Sequence, residues 1–161
     1  MPFIIQWIES CSGTEDVVRL QTPAGLLALT SRQGVIIKTD WELGDFLNPP
    51  AEHELNSYWQ NPDQPMTVKL LKQGSAYRNK VWTALCQIAL GETISYSALA
   101  NKIDSSARAV GNACRDNPYA LFIPCHRVVS ISGMGGYCGQ IDGDLMTIKL
   151  KLLEFEASHN K

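Results

Sequence analysis

The sequence has no Cys-x-x-Cys pair, and its five cysteines (Cys11, Cys86, Cys114, Cys125 and Cys138) form an odd set. That argues against both a disulfide framework and a cysteine-rich zinc site, so no metal is expected and a reducing, cytoplasmic setting fits best. No apolar run approaches the length of a membrane span, which excludes a membrane protein, and Met1 to Ile8 is too short for a secretory signal core. Repeats and low-complexity segments are absent. Charged residues are sparse at 19% while apolar residues make up 45%, which excludes disordered and fibrous classes. The 161 residues therefore point to a soluble globular protein of one ordinary domain or two small ones.

The net charge of -2 conceals an uneven distribution. Residues 1–65 carry three basic and nine acidic side chains, 66–132 carry eight and three, and 133–161 carry three and four. The basic middle is compatible with a polyanionic partner, and equally with ordinary compositional fluctuation.

Four runs rich in apolar or β-branched residues open the chain: Phe3 to Ile8, Asp16 to Gln21, Leu26 to Thr30 and Val35 to Thr39. The turn signals Ser12-Gly13, Thr22-Pro23-Ala24-Gly25 and Gln33-Gly34 separate them, which predicts a small antiparallel sheet. A short helix is expected over 51–60, between the proline-containing loops 48–50 and 61–65. The second loop marks a domain boundary, giving a sheet domain over 1–65 and a second domain over 66–161.

From Tyr77 the apolar period becomes helical. Val81, Trp82, Leu85, Ile88 and Ala89 form one face of a helix expected to end at Gly91. A shorter helix follows from about Tyr96 to Ile103, then the turn Asp104-Ser105-Ser106, then a helix from about Ala107 to Asp116 that Asn117-Pro118 stops. Two helices joined by a tight turn match the helix-turn-helix pattern. On the second of them Arg108, Asn112 and Arg115 share a face, with Val110, Ala113 and Cys114 behind it. Its small residues Ala109, Gly111 and Ala113 suit either close helix packing or approach to a minor groove only about 6 Å wide.

In the segment Asn117 to Val129 an apolar run leads through Pro124 into Cys125-His126-Arg127. Neighbouring cations lower a thiol's pKa, which favours a nucleophile; a buried structural thiol beside a structural histidine is the plainer alternative. Side chains adjacent in sequence diverge, so His126 would reach Cys125 through water and would need a third group to fix its tautomer. Asp142, Asp144, Glu154 and Glu156 are the downstream carboxylates. His53 and His159 have no such company and read as surface residues.

These residues resemble the alkylguanine-DNA alkyltransferases, the methylated-DNA-protein-cysteine methyltransferase family. The resemblance is carried by residues 123–129 (Ile-Pro-Cys-His-Arg-Val-Val), by Ala107 to Gly111 with Asn117-Pro118, by Gly91 to Tyr96, by Val81-Trp82, and by Gly136-Tyr137 with Leu152-Leu153 and Glu156. It covers about the last half of the chain. It implies an α+β protein: a ribonuclease-H-like sheet domain followed by a helical domain with the helix-turn-helix. The implied activity is irreversible, single-turnover transfer of an alkyl group from the oxygen at position 6 of guanine to Cys125, after base flipping and without a cofactor. The implied partner is double-stranded DNA containing alkylated guanine, bound by a monomer.

By the same resemblance His126 takes the thiol proton through water, Glu156 orients His126, and Asn117 braces the turn between recognition helix and active site. Arg108 fills the base stack, and Tyr96 turns the phosphate and donates to the guanine ring. Asn112 and Arg115 on the same helix face, and Arg127, are further expected DNA contacts. Carbonyls of Cys125 and Val128 accept from the exocyclic amine, and Gly135, Tyr137 and Cys138 line the pocket.

Two departures stand out. The loop from Gly139 to Thr147 is longer than the family pattern, with Ile141, Leu145 and Met146 expected to fold back over the pocket. The turn Asp104-Ser105-Ser106 is shorter than the common version. Other readings are a lesion-binding alkyltransferase-like protein that does not transfer, against which Cys125 argues, and a cysteine-dependent hydrolase or thiol redox enzyme.

Overall fold

In a computed structural model, residues 3–42, 65–131, 133, 135–137 and 143–159 are described. The helix expected over 51–60 and the residues Cys138 and Ile141 lie outside them. The chain divides into two compact units, Met1–Gln73 and Gly74–Lys161.

The first unit is a five-stranded sheet in the order β1-β5-β4-β3-β2, built from β1 (Phe3–Ile8), β2 (Glu15–Thr22), β3 (Gly25–Arg32), β4 (Val35–Glu42) and β5 (Met66–Leu71). Two-residue loops join β2, β3 and β4 as antiparallel hairpins. At the second, Gln33 and Gly34 both take positive φ, 50° and 82°, the handedness that matches strand twist. In the first, the Thr22 hydroxyl donates to the Gly25 carbonyl and accepts from the Ala24 and Gly25 amides.

The expected antiparallel sheet is in fact mixed, because β5 runs parallel to both β1 and β4. Parallel neighbours need a crossover of a dozen or more residues, and the stretch between β4 and β5 is long enough to supply it. The boundary expected at residue 65 accordingly moves to 73, since β5 completes the first sheet. Val68 and Leu70 on one face of β5 are buried, as are Leu20, Leu27, Leu29 and Ile36.

The second unit holds α1 (Ala76–Leu85), β6 (Ile94–Ser95), α2 (Tyr96–Lys102), α3 (Ala107–Arg115), a 3-10 turn (Cys125–Arg127), β7 (Val128–Val129) and α4 (Asp144–His159). Ser75, Ser95 and Ser106 cap α1, α2 and α3, each accepting from a first-turn amide. Helix α1 stops at Leu85, earlier than its apolar period suggests; Ile88 is buried from a turn, and Ala89 is exposed.

Helices α2 and α3 form the expected helix-turn-helix, with Asp104 at φ 56° making the tight corner and the Ser105 amide closing onto the Ala100 carbonyl at 2.9 Å. Helix α1 holds this pair at several points. The Tyr77 hydroxyl meets Ser105 Oγ at 2.6 Å, Arg78 pairs with Asp116, and Trp82 Nε1 donates to the Ala113 carbonyl at 2.9 Å. Val110, Ala113 and Cys114 are buried, so Arg108, Asn112 and Arg115 are left exposed on the other side of α3.

Candidate active site

Between α3 and the 3-10 turn the chain makes a tight loop, buried from Tyr119 to Pro124. Leu121 sits at φ 83°, a conformation that a branched residue adopts only under external constraint. Asn117 supplies that constraint: its Nδ2 donates to the Ile123 carbonyl and its Oδ1 accepts from the Tyr119 amide, both at 2.9 Å. The loop delivers Cys125, His126 and Arg127 into the interior as one short turn, with relative exposures of 4%, 0% and 3%.

Glu156, on α4, organises two of these three. Its Oε2 lies 2.9 Å from His126 Nε2, and Arg127 donates to both carboxylate oxygens at 2.8 Å through Nε and Nη2. The third Arg127 donor, Nη1, reaches the Ile88 carbonyl at 2.8 Å. Arg127, expected as a DNA contact, is thus turned into the interior. It is buried and fully committed to Glu156 and Ile88, because a guanidinium taken out of water needs partners for its donors.

The electrostatics assign protonation states. Burial pushes the Glu156 carboxyl up, but His126 and Arg127 outweigh it and hold the group at about 2. Burial pushes His126 below its ordinary value, against the pull of Glu156, so the imidazole is neutral. A neutral ring that donates Nε2–H to an ionised Glu156 carries its lone pair on Nδ1. Nδ1 is buried without a hydrogen-bond partner among the described residues, which leaves it free to receive a proton.

Burial also pushes the Cys125 thiol up; the Asn117 hydrogen bond and the charge of Lys149 pull it partly back. This reverses the sequence expectation that adjacent cations depress it, since His126 is neutral and Arg127 faces Glu156. The resting group is a thiol that needs a base. Cys114, buried on α3, has its pKa raised by burial and by the neighbouring Cys125.

Sequence reasoning missed Lys149. It is completely buried, and its Nζ donates to the Val128 carbonyl at 2.7 Å and the Gly136 carbonyl at 2.8 Å. The Val128 carbonyl, implied as an acceptor for the substrate's amine, thus already receives one bond from Lys149. A signal was present: Lys149 and Glu156 stand two turns apart on the face of α4 that also carries Ile148 and Leu152, all four buried.

Tyr96, at the start of α2, donates to the Gly136 carbonyl at 3.4 Å, and burial pushes its hydroxyl up to about 12, so it remains a donor. Gly135 allows the ring to seat: at φ 72°, a Cβ there would fall 2.9 Å from Tyr96 Cε2. Tyr137, two residues on, is buried. Of the extended loop, Asp144 to Thr147 form the first turn of α4, with Leu145 and Met146 half-buried. No group of three or more potential metal ligands occurs among the described residues.

A buried thiol and a neutral imidazole tied to Glu156, in the same unit as a helix-turn-helix, are the parts a DNA-directed group-transfer protein needs. A family model described as the DNA binding domain of 6-O-methylguanine DNA methyltransferase matches residues 76–158. A Methanosarcina mazei methylated-DNA–protein-cysteine methyltransferase is 36% identical over 84% of this chain and 85% of its own length. A Mycobacterium tuberculosis protein of the same name is 38% identical over 75% and 72%. The crystal structure of Mycobacterium tuberculosis OGT in complex with DNA superposes with a TM-score of 0.68 at 32% identity, covering 87% of this chain and 91% of that one. The chain belongs to the methylated-DNA–protein-cysteine methyltransferase family.

Proposed function

We propose that this protein repairs DNA directly, moving an alkyl group from the oxygen at position 6 of guanine to Cys125 once per molecule. The observation that carries the assignment is the buried array in which His126 Nε2 is tied to Glu156 while Nδ1 has no hydrogen-bond partner among the described residues, in the same buried 3-10 turn as the Cys125 thiol.

In this reading the exposed face of α3 binds double-stranded DNA, and Arg108 takes the place of the extruded nucleotide. Flipping costs a few kcal/mol, less for a damaged pair. A water carries the Cys125 proton to His126 Nδ1, and the sulfur attacks the alkyl carbon in line with the departing guanine oxygen. One S–C bond forms as one O–C bond breaks. Tyr96 donates to the guanine ring as negative charge develops on it, and the Cys125 and Val128 carbonyls accept from the exocyclic amine.

The thioether product has no ready leaving group, so the reaction ends there. No cofactor takes part, and the protein acts as a monomer in the cytoplasm. The test is intact-mass measurement after incubation with a duplex containing alkylated guanine, followed by peptide mapping. One alkyl group on Cys125 is expected. Binding without any added mass would instead mark a lesion-binding, non-transferring protein, and turnover of another substrate with the mass unchanged would mark a thiol hydrolase or redox enzyme.

A further inference from the structure

Among the described residues, one large apolar side chain is left almost wholly in water. Ile131 is 83% exposed, well above Ile4, Val17, Leu150 and Tyr77, the other exposed large hydrophobic residues described. It stands on a tight turn in which the Gly133 amide closes onto the Ser130 carbonyl at 3.3 Å and the two residues bridge as antiparallel neighbours. Tips of such turns favour glycine and polar residues, so nothing in turn chemistry calls for isoleucine there.

The position of the turn supplies a reason. Strand β7 pairs in parallel with β6, Val128 beside Ile94 and Val129 beside Ser95. Both chains run the same way, so the residues after Val129 leave the pair alongside Tyr96. A Cβ on Gly135 would lie 2.9 Å from the Tyr96 ring and 3.2 Å from the Ser130 amide, so ring and turn are packed together. Ile131 thus directly follows the residue that lies against the Tyr96 ring, at the edge of the site in which Tyr96 is proposed to meet the flipped nucleotide.

We propose that Ile131 is an apolar wedge that enters the groove of duplex DNA at the step beside the nucleotide presented to Cys125. The proposal rests on the reading of the site given above. Phosphates offer an isoleucine nothing; sugar carbons, base edges and the base face uncovered when a neighbour leaves the stack are the apolar surface that DNA provides. Proteins that insert aliphatic side chains between base steps use that surface to hold a deformed duplex. A β-branched side chain suits the task because its χ1 is already restricted, so insertion orders little that was free. The exposed arginines of α3 bind any duplex through its charge. Ile131 instead favours a step whose stacking is already broken, and so raises the fraction of encounters that become extrusion.

The experiment compares the parent with Ile131→Ser and Ile131→Leu in three measurements. These are single-turnover repair of a duplex holding alkylated guanine, transfer from the free alkylated base, and fluorescence of 2-aminopurine placed next to the lesion, which brightens on unstacking. Ile131→Ser should slow duplex repair roughly tenfold, the size expected for losing partial burial of one branched aliphatic side chain, and should lose the 2-aminopurine signal. Transfer from the free base should not change, and Ile131→Leu should restore repair. Parent-like duplex repair by Ile131→Ser overturns the proposal, as does an equal loss on both substrates. A concentration-dependent dimer that Ile131→Ser abolishes also overturns it, since the residue then serves a second copy of the chain. If the parent takes no alkyl group from either substrate, the transfer reading fails instead, and the fluorescence change, which needs only binding, still decides on the wedge.

Discussion

Replacing Glu156 by Gln tests the buried array most directly, because that carboxylate is the common partner of His126 and Arg127. The amide keeps the shape and one acceptor, but it removes the charge that faces a guanidinium only 3% exposed and turns an NH2 group toward donors. Breaking a buried pair by removing one partner costs about 3 to 5 kcal/mol. The titration of Glu156 gives a second route to the magnitude. His126 and Arg127 hold its carboxyl at about 2, well below the ordinary carboxylate value, which corresponds to roughly 3 kcal/mol of pH-dependent stabilisation.

The two routes agree, and the second fixes a pH signature. A depressed carboxylate pKa stabilises the fold above the unfolded value, and that contribution fades as pH falls through the folded value. The stability gap between parent and Glu156→Gln, from urea unfolding, should be about 3 kcal/mol near neutral pH and shrink to about 1 kcal/mol by about pH 3. A gap that does not change with pH, or one under about 1 kcal/mol at neutral pH, would refute an ionised Glu156 at the centre of this array.

Cys125→Ser should abolish transfer while lesion binding persists, because an alcohol is a far weaker nucleophile than a thiolate; alkylation of any other cysteine in the parent would contradict the assignment. Arg108→Ala should slow repair of duplex DNA far more than transfer from the free base, and equal losses would mean that the exposed arginine is not an extruder. Lys149→Met removes a charge that lowers the Cys125 pKa, so the pH profile for inactivation by a thiol reagent should move upward; an unmoved profile would reduce Lys149 to a tether for the Val128 and Gly136 carbonyls.

What could be read from the sequence was what depends on neighbours in the chain. The hairpins follow from local alternation and from Gln33-Gly34, and the recognition helix from Ser106, the period of Val110, Ala113 and Cys114, and the stop at Asn117-Pro118. Strand β5 alternates clearly, with Val68 and Leu70 inward, yet its partners lie in β1 and β4, far upstream, and no local pattern announces them. Arg127 and Lys149 illustrate the same limit at the site. Charge alone suggests contact with a polyanion, whereas tertiary structure turns one onto Glu156 and Ile88 and the other onto two carbonyls. The lowered-thiol expectation failed because it counted neighbours along the chain instead of in space.

The order in which the site is assembled has a consequence for protein synthesis. Glu156 lies 30 residues beyond His126, and α4, which brings both Glu156 and Lys149, follows every element of the helix-turn-helix. A chain still emerging from the ribosome, or one cut short by a premature stop before residue 144, would contain the whole recognition helix and Cys125 but no carboxylate to orient His126. If its remaining helices hold together, such a fragment keeps the helix-turn-helix proposed to bind a lesion but lacks Glu156 and Lys149 of the buried array proposed to clear it. Early truncation would then do more than lower the dose of repair protein: it would create a competitor that shields damage from the intact molecules.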